Sequence, residues 1–296
     1  MRLRGDLHRS TKYNEVMKNS KNLVSRSRKT SKKSLDEDWP WLLRVRPRAV
    51  IGVIVVWLTV AWSLFLSVDI FGWFDPGFNR PMWRLLFNDY PVEWTQWFLL
   101  AFSVFIAGFL SAVLYARKQL PSAKFFLFFG IGLGLMLVEE AGDIRHTISA
   151  ELRRVMGEEI AGLPYRVVSD VPYFTLLATL PAYAALRYGK HIWRDYLQAR
   201  WLLLSGVVLY ALAAVSSAVR HLNDFYIRVG AWVDTTFFAG RFPVPDNMTQ
   251  ERAHFFVVDS VLEETVELLA ITLVLAGLLA VSLQLRRSAE WPKRKN

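Results

Sequence analysis

The hydrophobic pattern of the chain consists of six long apolar stretches separated by more polar segments. Each stretch is close to the roughly 20 residues that an α-helix needs to cross the hydrocarbon core of a bilayer. The stretches comprise residues 49–70, 93–116, 121–141, 171–187, 201–220 and 255–285. The pattern therefore predicts an all-α integral membrane protein, with six transmembrane helices in a domain that covers residues 39–288.

The segments at the two ends of the chain are basic and poor in large apolar residues. Residues 1–38 contain eleven Lys and Arg residues, a composition typical of a disordered tail. We expect this tail to be cytoplasmic and to attract anionic lipid. We expect no nucleic-acid binding, because aromatic residues are not usefully interleaved with the basic ones. Residues 289–296 are predicted to form a second basic cytoplasmic segment.

The basic residues are also distributed unevenly among the loops. The two ends and alternate loops together hold 26 of the 36 Lys and Arg residues. The positive-inside rule then predicts a multi-pass protein of the cell membrane with both termini in the cytoplasm. Six spans agree with that orientation, and two halves of three helices could be related as an inverted repeat.

Composition narrows the chemistry that is available to this chain. The chain is 53% hydrophobic and contains no Cys. The lack of Cys excludes disulfides, thiolate nucleophiles, Cys-ligated zinc and iron–sulfur clusters. A metal site would therefore have to use imidazole and carboxylate ligands.

Two of the apolar stretches carry matched acidic clusters. Residues 139–146 read Glu-Glu-Ala-Gly-Asp-Ile-Arg-His, and residues 263–267 read Glu-Glu-Thr-Val-Glu. In both clusters an acidic pair is followed three residues later by another acid. At 100° per residue, Glu139, Asp143 and His146 fall within about 60° of each other on one helix face.

The two clusters and the remaining non-cytoplasmic histidines are predicted to lie at one depth. Glu139, His221 and the end of the second cluster each lie about 18 residues from the cytoplasmic end of their predicted helices, which is roughly 27 Å of helix. His146 and His254 fall close to the same level. That level is the outer edge of the hydrocarbon layer, so we expect these side chains to converge on one site.

Carboxylates at membrane depth cost about 2.5–3.5 kcal/mol each at a helix centre. They must face the protein interior, take up protons, pair with Arg or bind a cation. Glu and His together ligate Zn, Fe or Mn, and carboxylates on facing helices resemble the way di-metal proteins build their sites. We therefore predict a divalent or di-metal cation held by Glu139, Asp143, His146, Glu263 and Glu267, completed by His221 or His254.

Two acids of the clusters are left for proton transfer in this scheme. Glu140 or Glu264 would act as a general base beside the metal. The alternatives are a structural ion-pair network, in which Arg145, Arg220 and Arg228 neutralise the acids, and a proton relay.

One short motif resembles a known family. Residues 140–143 read Glu-Ala-Gly-Asp and resemble the Glu-x-Gly-Asp signature of cation/proton exchangers that move calcium and manganese. That family carries the signature twice, whereas the second acidic cluster lacks Gly-Asp. The match covers only a few of the 296 residues, so the function of that family is not transferred to this chain.

Three functions are compatible with these features. The first is a metal-dependent, membrane-embedded enzyme that acts on a lipid-like or amphipathic substrate at the outer interface. The second is a metal-cation or proton transporter, although transporter sites usually lie near the midplane of the membrane. The third is a non-catalytic membrane subunit or sensor.

Overall fold

The computed structural model describes residues 45–73, 80–88 and 91–290. Residues 45–282 form one compact unit, and the described residues 283–290 belong to a second one. The predicted basic tail over residues 1–38 and most of the predicted C-terminal segment lie outside the described residues.

Nearly all of the described chain is helical. Two short strands, β1 (Glu159–Ile160) and β2 (Leu163–Pro164), pair in an antiparallel hairpin. The α-helices of the described part are α1 (Pro47–Phe65), α2 (Pro91–Ala116), α3 (Leu120–Gly142), α4 (Ile144–Met156), α5 (Tyr165–Asp195), α6 (Arg200–Val219), α7 (Phe225–Phe237), α8 (Gln250–Phe256) and α9 (Glu263–Glu290).

Five helical segments of the described residues are long and apolar enough to cross a membrane. They are Pro47–Ile70, Arg84–Ala116, Leu120–Gly142, Arg200–Val219 and Gln250–Ser288. An all-α, membrane-embedded fold is therefore supported, whereas the sixth span, the orientation of the termini and the inverted repeat are not confirmed.

The predicted fourth span, residues 171–187, lies within α5, which is 31 residues long. Its length, about 46 Å at 1.5 Å per residue, is sufficient for a bilayer. The helix is more polar than the other candidates because charged residues occupy both of its ends and hydroxyl groups interrupt its middle. Its composition therefore does not identify it as a span.

The segment between α1 and α2 is rich in aromatic and other large apolar residues, and this composition predicts an interfacial segment on the outer face of the membrane with a short helix over residues 81–88. A short π-helical segment does occur there, at Arg84–Asn88, but its apolar side chains are buried in the protein. Trp83 is only 1% exposed and its ring stacks on that of Phe256, with 5.5 Å between the centroids. Asp69 fixes the segment by accepting hydrogen bonds from the backbone N–H groups of Met82 and Trp83.

Two close helix contacts define the part of the fold that matters for the site. A Cβ added to Gly132 in α3 would lie 2.5 Å from the ring of Pro181 in α5, so these helices touch at that level. A Cβ added to Gly206 in α6 would lie 2.8 Å from the backbone oxygen of Ala270 in α9. Because α5 also packs on α6, the four helices form a continuous wall.

Candidate functional site

A cavity of about 240 Å³ lies between α3, α5, α6 and α9. Its lining on α3 extends from Phe129 to Glu140, which is about 16 Å along the helix axis. Most of the wall is apolar: Phe129, Leu133, Met136, Phe174, Leu177, Ala178, Pro181, Ala182, Ala185, Val207, Ala211, Ala214 and Val274.

The polar groups that line the cavity are Glu139, Glu140, Tyr210 and Glu267. Both α3 glutamates belong to the last turn of that helix, and Glu267 belongs to the first turns of α9. The cavity is therefore amphipathic, with an apolar body along the helices and acidic groups towards one end.

Glu139 is held by direct partners and is 6% exposed. Its carboxylate accepts hydrogen bonds from the Tyr173 hydroxyl at 2.5 Å and from the Arg145 backbone N–H at 3.2 Å. The Arg145 Nε lies 3.7 Å from its other oxygen. Arg145 itself donates to Ser217 at 2.8 Å and covers the ring of Phe174. This glutamate is therefore the anchor of a buried ion pair.

Glu267 is held on the other side by Gln96, a fully buried amide of α2. The Gln96 Nε2 donates to Glu267 Oε2 at 2.8 Å, whereas Gln96 Oε1 has no hydrogen-bond partner among the described residues. Tyr210 lies beside this pair and is 8% exposed. Its hydroxyl is also buried; it interacts with the Gln96 side chain but makes no hydrogen bond of normal geometry in the described chain.

Five glutamates form a cluster around this end of the cavity, and they interact electrostatically with one another: Glu93, Glu140, Glu263, Glu264 and Glu267. Like charges repel strongly in a low-dielectric interior. Such a cluster is stable only when protons or a positive group offset part of its charge.

The positive groups near the cluster already have partners. Arg145 interacts with Glu140 and Glu267 but is also the partner of Glu139. Arg220 interacts with Glu263 but donates to Asp259 at 2.7 Å. The structure thus contains two of the ion pairs that the network interpretation expects, and neither one neutralises the whole cluster.

The three histidines predicted as ligands do not line the cavity. His146 contacts Asp143 through Nδ1, and its Nε2 lies 3.1 Å from Arg220. The Asp143 side chain is 70% exposed. Since a guanidinium can only donate, His146 Nε2 accepts and its proton resides on Nδ1.

His221 and His254 have separate partners. Arg166 Nη1 lies 2.8 Å from His221 Nε2, and the imidazole stacks on Phe255. Burial, with the nearby Arg220 and Arg166, lowers the pKa of His221 to about 3. His254 Nε2 lies 3.2 Å from Asp234. Each imidazole therefore has its own side-chain partner outside the cavity.

The structure brings together only part of the predicted metal-ligand set. Glu140, Glu263, Glu264 and Glu267 are neighbours, whereas Glu139 is engaged by Arg145. Within residues 45–73, 80–88 and 91–290, no group of three or more His, Asp or Glu side chains could hold a metal ion. The divalent or di-metal centre therefore stays a prediction.

Sequence reasoning missed the uncharged members of the site. Gln96 and Tyr210 lie within apolar stretches of the sequence. A polar amide or phenol within such a stretch is the feature that could have identified them as members of a buried site. Charged residues and histidines are easier to single out in a sequence, because these are the costliest in a membrane. Tyr173 and Tyr226, which donate to Glu139 and Glu263, were missed for the same reason.

In comparisons with known proteins, no family model, curated protein or solved structure matches this chain. The function is therefore argued from the cavity and from the groups that line it.

Proposed function

We propose that the protein binds an amphipathic molecule taken from the bilayer and acts on it inside the membrane domain. The apolar part of the ligand occupies the space between α3, α5, α6 and α9. Its polar head lies against Glu140, Glu267 and Tyr210. The observation that supports this proposal is one cavity whose wall is apolar along the helices and acidic towards one end.

The apolar wall favours a ligand with a hydrocarbon part. Burying apolar surface gains roughly 25 cal/mol per Å², and pockets for small molecules are mostly apolar with a few convergent polar groups that fix orientation. An inorganic ion alone would gain nothing from phenylalanine, leucine and alanine side chains along about 16 Å of helix.

The polar end favours a ligand that brings hydrogen-bonding groups. The Tyr210 hydroxyl and Gln96 Oε1 are buried and make no hydrogen bond of normal geometry in the described residues. An unsatisfied buried polar group costs about 1–3 kcal/mol. A ligand head that pairs with the hydroxyl would recover part of this cost.

The setting that we propose is the cell membrane, with both termini in the cytoplasm and anionic lipid at the basic tail. The distribution of Lys and Arg supports this orientation, and α5 supplies the sixth span. This part of the proposal is independent of the ligand.

A second candidate function is the handling of a metal cation or of protons by the same cluster. One observation favours it: a buried oxygen of Glu264 has no hydrogen-bond partner in the described chain, and its strongest electrostatic neighbours are other glutamates. A cation would offset that repulsion. The apolar cavity next to the cluster has no role in this alternative.

The proposal is tested by narrowing the cavity. Protein in lipid nanodiscs is titrated with fluorescent amphiphiles that share a dodecyl chain and differ in head group, with empty nanodiscs as the blank. Ala214 lines the cavity, so Ala214→Phe should weaken saturable binding by at least about tenfold. Val215 is the adjacent residue of α6 and is 64% exposed, so Val215→Phe is the matched control and should leave binding unchanged.

Two results would contradict the proposal. One is the lack of saturable binding for every head group. The other is equal binding by the two phenylalanine variants, which would place the amphiphile outside the cavity.

A further inference from the structure

We infer that the head of the bound amphiphile is positively charged and carries N–H donors, as a primary ammonium does. This inference rests on the proposed function and names the substrate class of the same cavity. It follows from three features of the acidic end: its charge, the kind of group that lacks a partner, and the separation of polar from apolar lining.

The charge of the site is the first feature. Among the acids that line the cavity, Glu139 is paired with Arg145. Glu140 and Glu267 lie close enough to repel each other. Glu263 and Glu264 add to this repulsion. An anionic head would add to this repulsion. A cationic head would interact favourably with several carboxylates at once in a medium of low dielectric constant.

The unpartnered atoms are the second feature. Gln96 Oε1 and Glu264 Oε2, both buried beside Glu267, have no hydrogen-bond partner in the described chain. An amide oxygen accepts only, and an ionised carboxylate also accepts only. The hydroxyl of Tyr210, which is 8% exposed and likewise makes no hydrogen bond of normal geometry, can accept as well as donate. Two of these three groups can therefore only accept, and a primary ammonium brings three donors.

The position of these groups is the third feature. Tyr210 and Glu267 line the cavity itself and thus meet whatever occupies it. The remaining lining of α5 and α6 is apolar. A molecule that joins an ammonium group to a hydrocarbon chain satisfies both parts of this wall together, whereas a free cation satisfies only one.

The inference is tested with four competitors that share one chain length: dodecylamine, dodecanol, dodecanoate and dodecyltrimethylammonium. Each competes with radiolabelled dodecylamine for the protein in nanodiscs. We expect dodecylamine to bind at least about tenfold more tightly than dodecanol, and dodecanoate to bind most weakly. Dodecyltrimethylammonium should be weaker than dodecylamine, because it has the charge and lacks the N–H donors.

Variants of the lining locate the head group. Glu267→Gln and Tyr210→Phe should each reduce the preference for dodecylamine over dodecanol, by about tenfold and about threefold respectively. The control is Glu151→Gln, because Glu151 lies on the surface of α4 and pairs with Arg154; it should keep the full preference. Tyr210→Phe removes a hydroxyl that makes no hydrogen bond of normal geometry, so the variant should fold.

The outcomes separate this inference from the proposed function. If dodecylamine, dodecanol and dodecanoate compete equally and Ala214→Phe still weakens binding, the head-group inference is wrong and the amphiphile site stands. If Mn²⁺ displaces dodecylamine at stoichiometric concentration, the cluster is an inorganic cation site and the inference is overturned. If no competitor binds saturably, the proposed function itself fails.

Discussion

Neighbouring glutamates at the end of α3 have opposite surroundings although they share one sequence motif. Glu139 accepts hydrogen bonds from Tyr173 and Arg145 and forms an ion pair. Glu140 faces Arg145 as well, but also Glu139, Glu263 and Glu93. The two carboxylates should therefore contribute to stability with opposite signs.

Glu139→Gln should lower the free energy of unfolding by about 1–3 kcal/mol, because it leaves the buried guanidinium of Arg145 without its ion-pair partner. Glu140→Gln relieves repulsion between like charges and should leave stability unchanged or raise it. Thermal and denaturant unfolding of the protein in detergent measure both effects. Equal destabilisation by the two variants would mean that favourable interactions stabilise the Glu140 carboxylate as strongly as that of Glu139.

His221 provides a prediction about pH. Its pKa, ordinarily near 6.5, is lowered to about 3 by burial and by Arg220, Arg166, Arg145 and His146. The unfolded chain takes up this proton below about pH 6.5, whereas the folded protein resists it. The stabilising contribution is therefore present above pH 6.5 and is lost as the pH falls towards 3.

The measurement is the midpoint of thermal unfolding at pH 7.5 and at pH 5.5, in the parent protein and in His221→Gln. The glutamine can still accept from Arg166 and does not titrate, so the variant should lose less stability between the two pH values. An identical loss in both proteins would show that other groups account for the acid sensitivity.

At the scale of elements, the lengths of most helices were predictable because the thickness of the bilayer sets them. The predicted stretch 121–141 corresponds to Leu120–Gly142, and 201–220 corresponds to Arg200–Val219. The burial of the segment after α1 was not predictable, because its tryptophan and phenylalanines suit a membrane surface and a protein core equally well. Only the contacts of Trp83 with the rest of the fold distinguish the two.

The contact between α3 and α5 depends on the lack of a side chain at Gly132. A methyl group there would lie 2.5 Å from Cγ and Cδ of Pro181, and a proline ring cannot rotate away. Gly132→Ala should therefore destabilise the protein by about 1–3 kcal/mol and narrow the cavity that Pro181 lines. Binding of the fluorescent amphiphiles and thermal unfolding report the two effects.

Gly134 offers the control within the same helix. A Cβ at Gly134 would meet only Val104 Cγ1, at 3.9 Å. Gly134→Ala should be neutral or should stabilise the helix by up to about 1 kcal/mol. A similar loss in both variants would indicate a general sensitivity of α3 rather than a specific contact with α5.

At the scale of the whole molecule, counting residues along a helix predicts the depth of each side chain in the membrane but not the direction in which it points. Glu140 and the glutamates of α9 do become neighbours. The histidines, at a similar counted depth, pair with Arg220, Arg166 and Asp234 instead. The cavity was not predictable, because it depends on which helices adjoin and on the shape of the space that their side chains leave.

The number of spans also belongs to this scale, and the packing of α5 is the basis on which we propose six. Gly132 of α3 meets Pro181 of α5, and Glu139 of α3 meets Tyr173. The two helices therefore run antiparallel and contact each other at two positions about 10 Å apart along α3. Since α3 is apolar enough to cross the membrane, we expect a helix that packs alongside it at both positions to cross the membrane as well.

Thiol labelling can decide this point, because the parent chain contains no Cys. Glu159→Cys lies before α5, and Leu197→Cys lies after it at an exposed position. If α5 crosses the membrane, a membrane-impermeant maleimide added to intact cells should label one of these cysteines, and the other should react only after the membrane is opened. Labelling of both from the same side would leave five spans, and the two termini would then lie on opposite sides of the membrane.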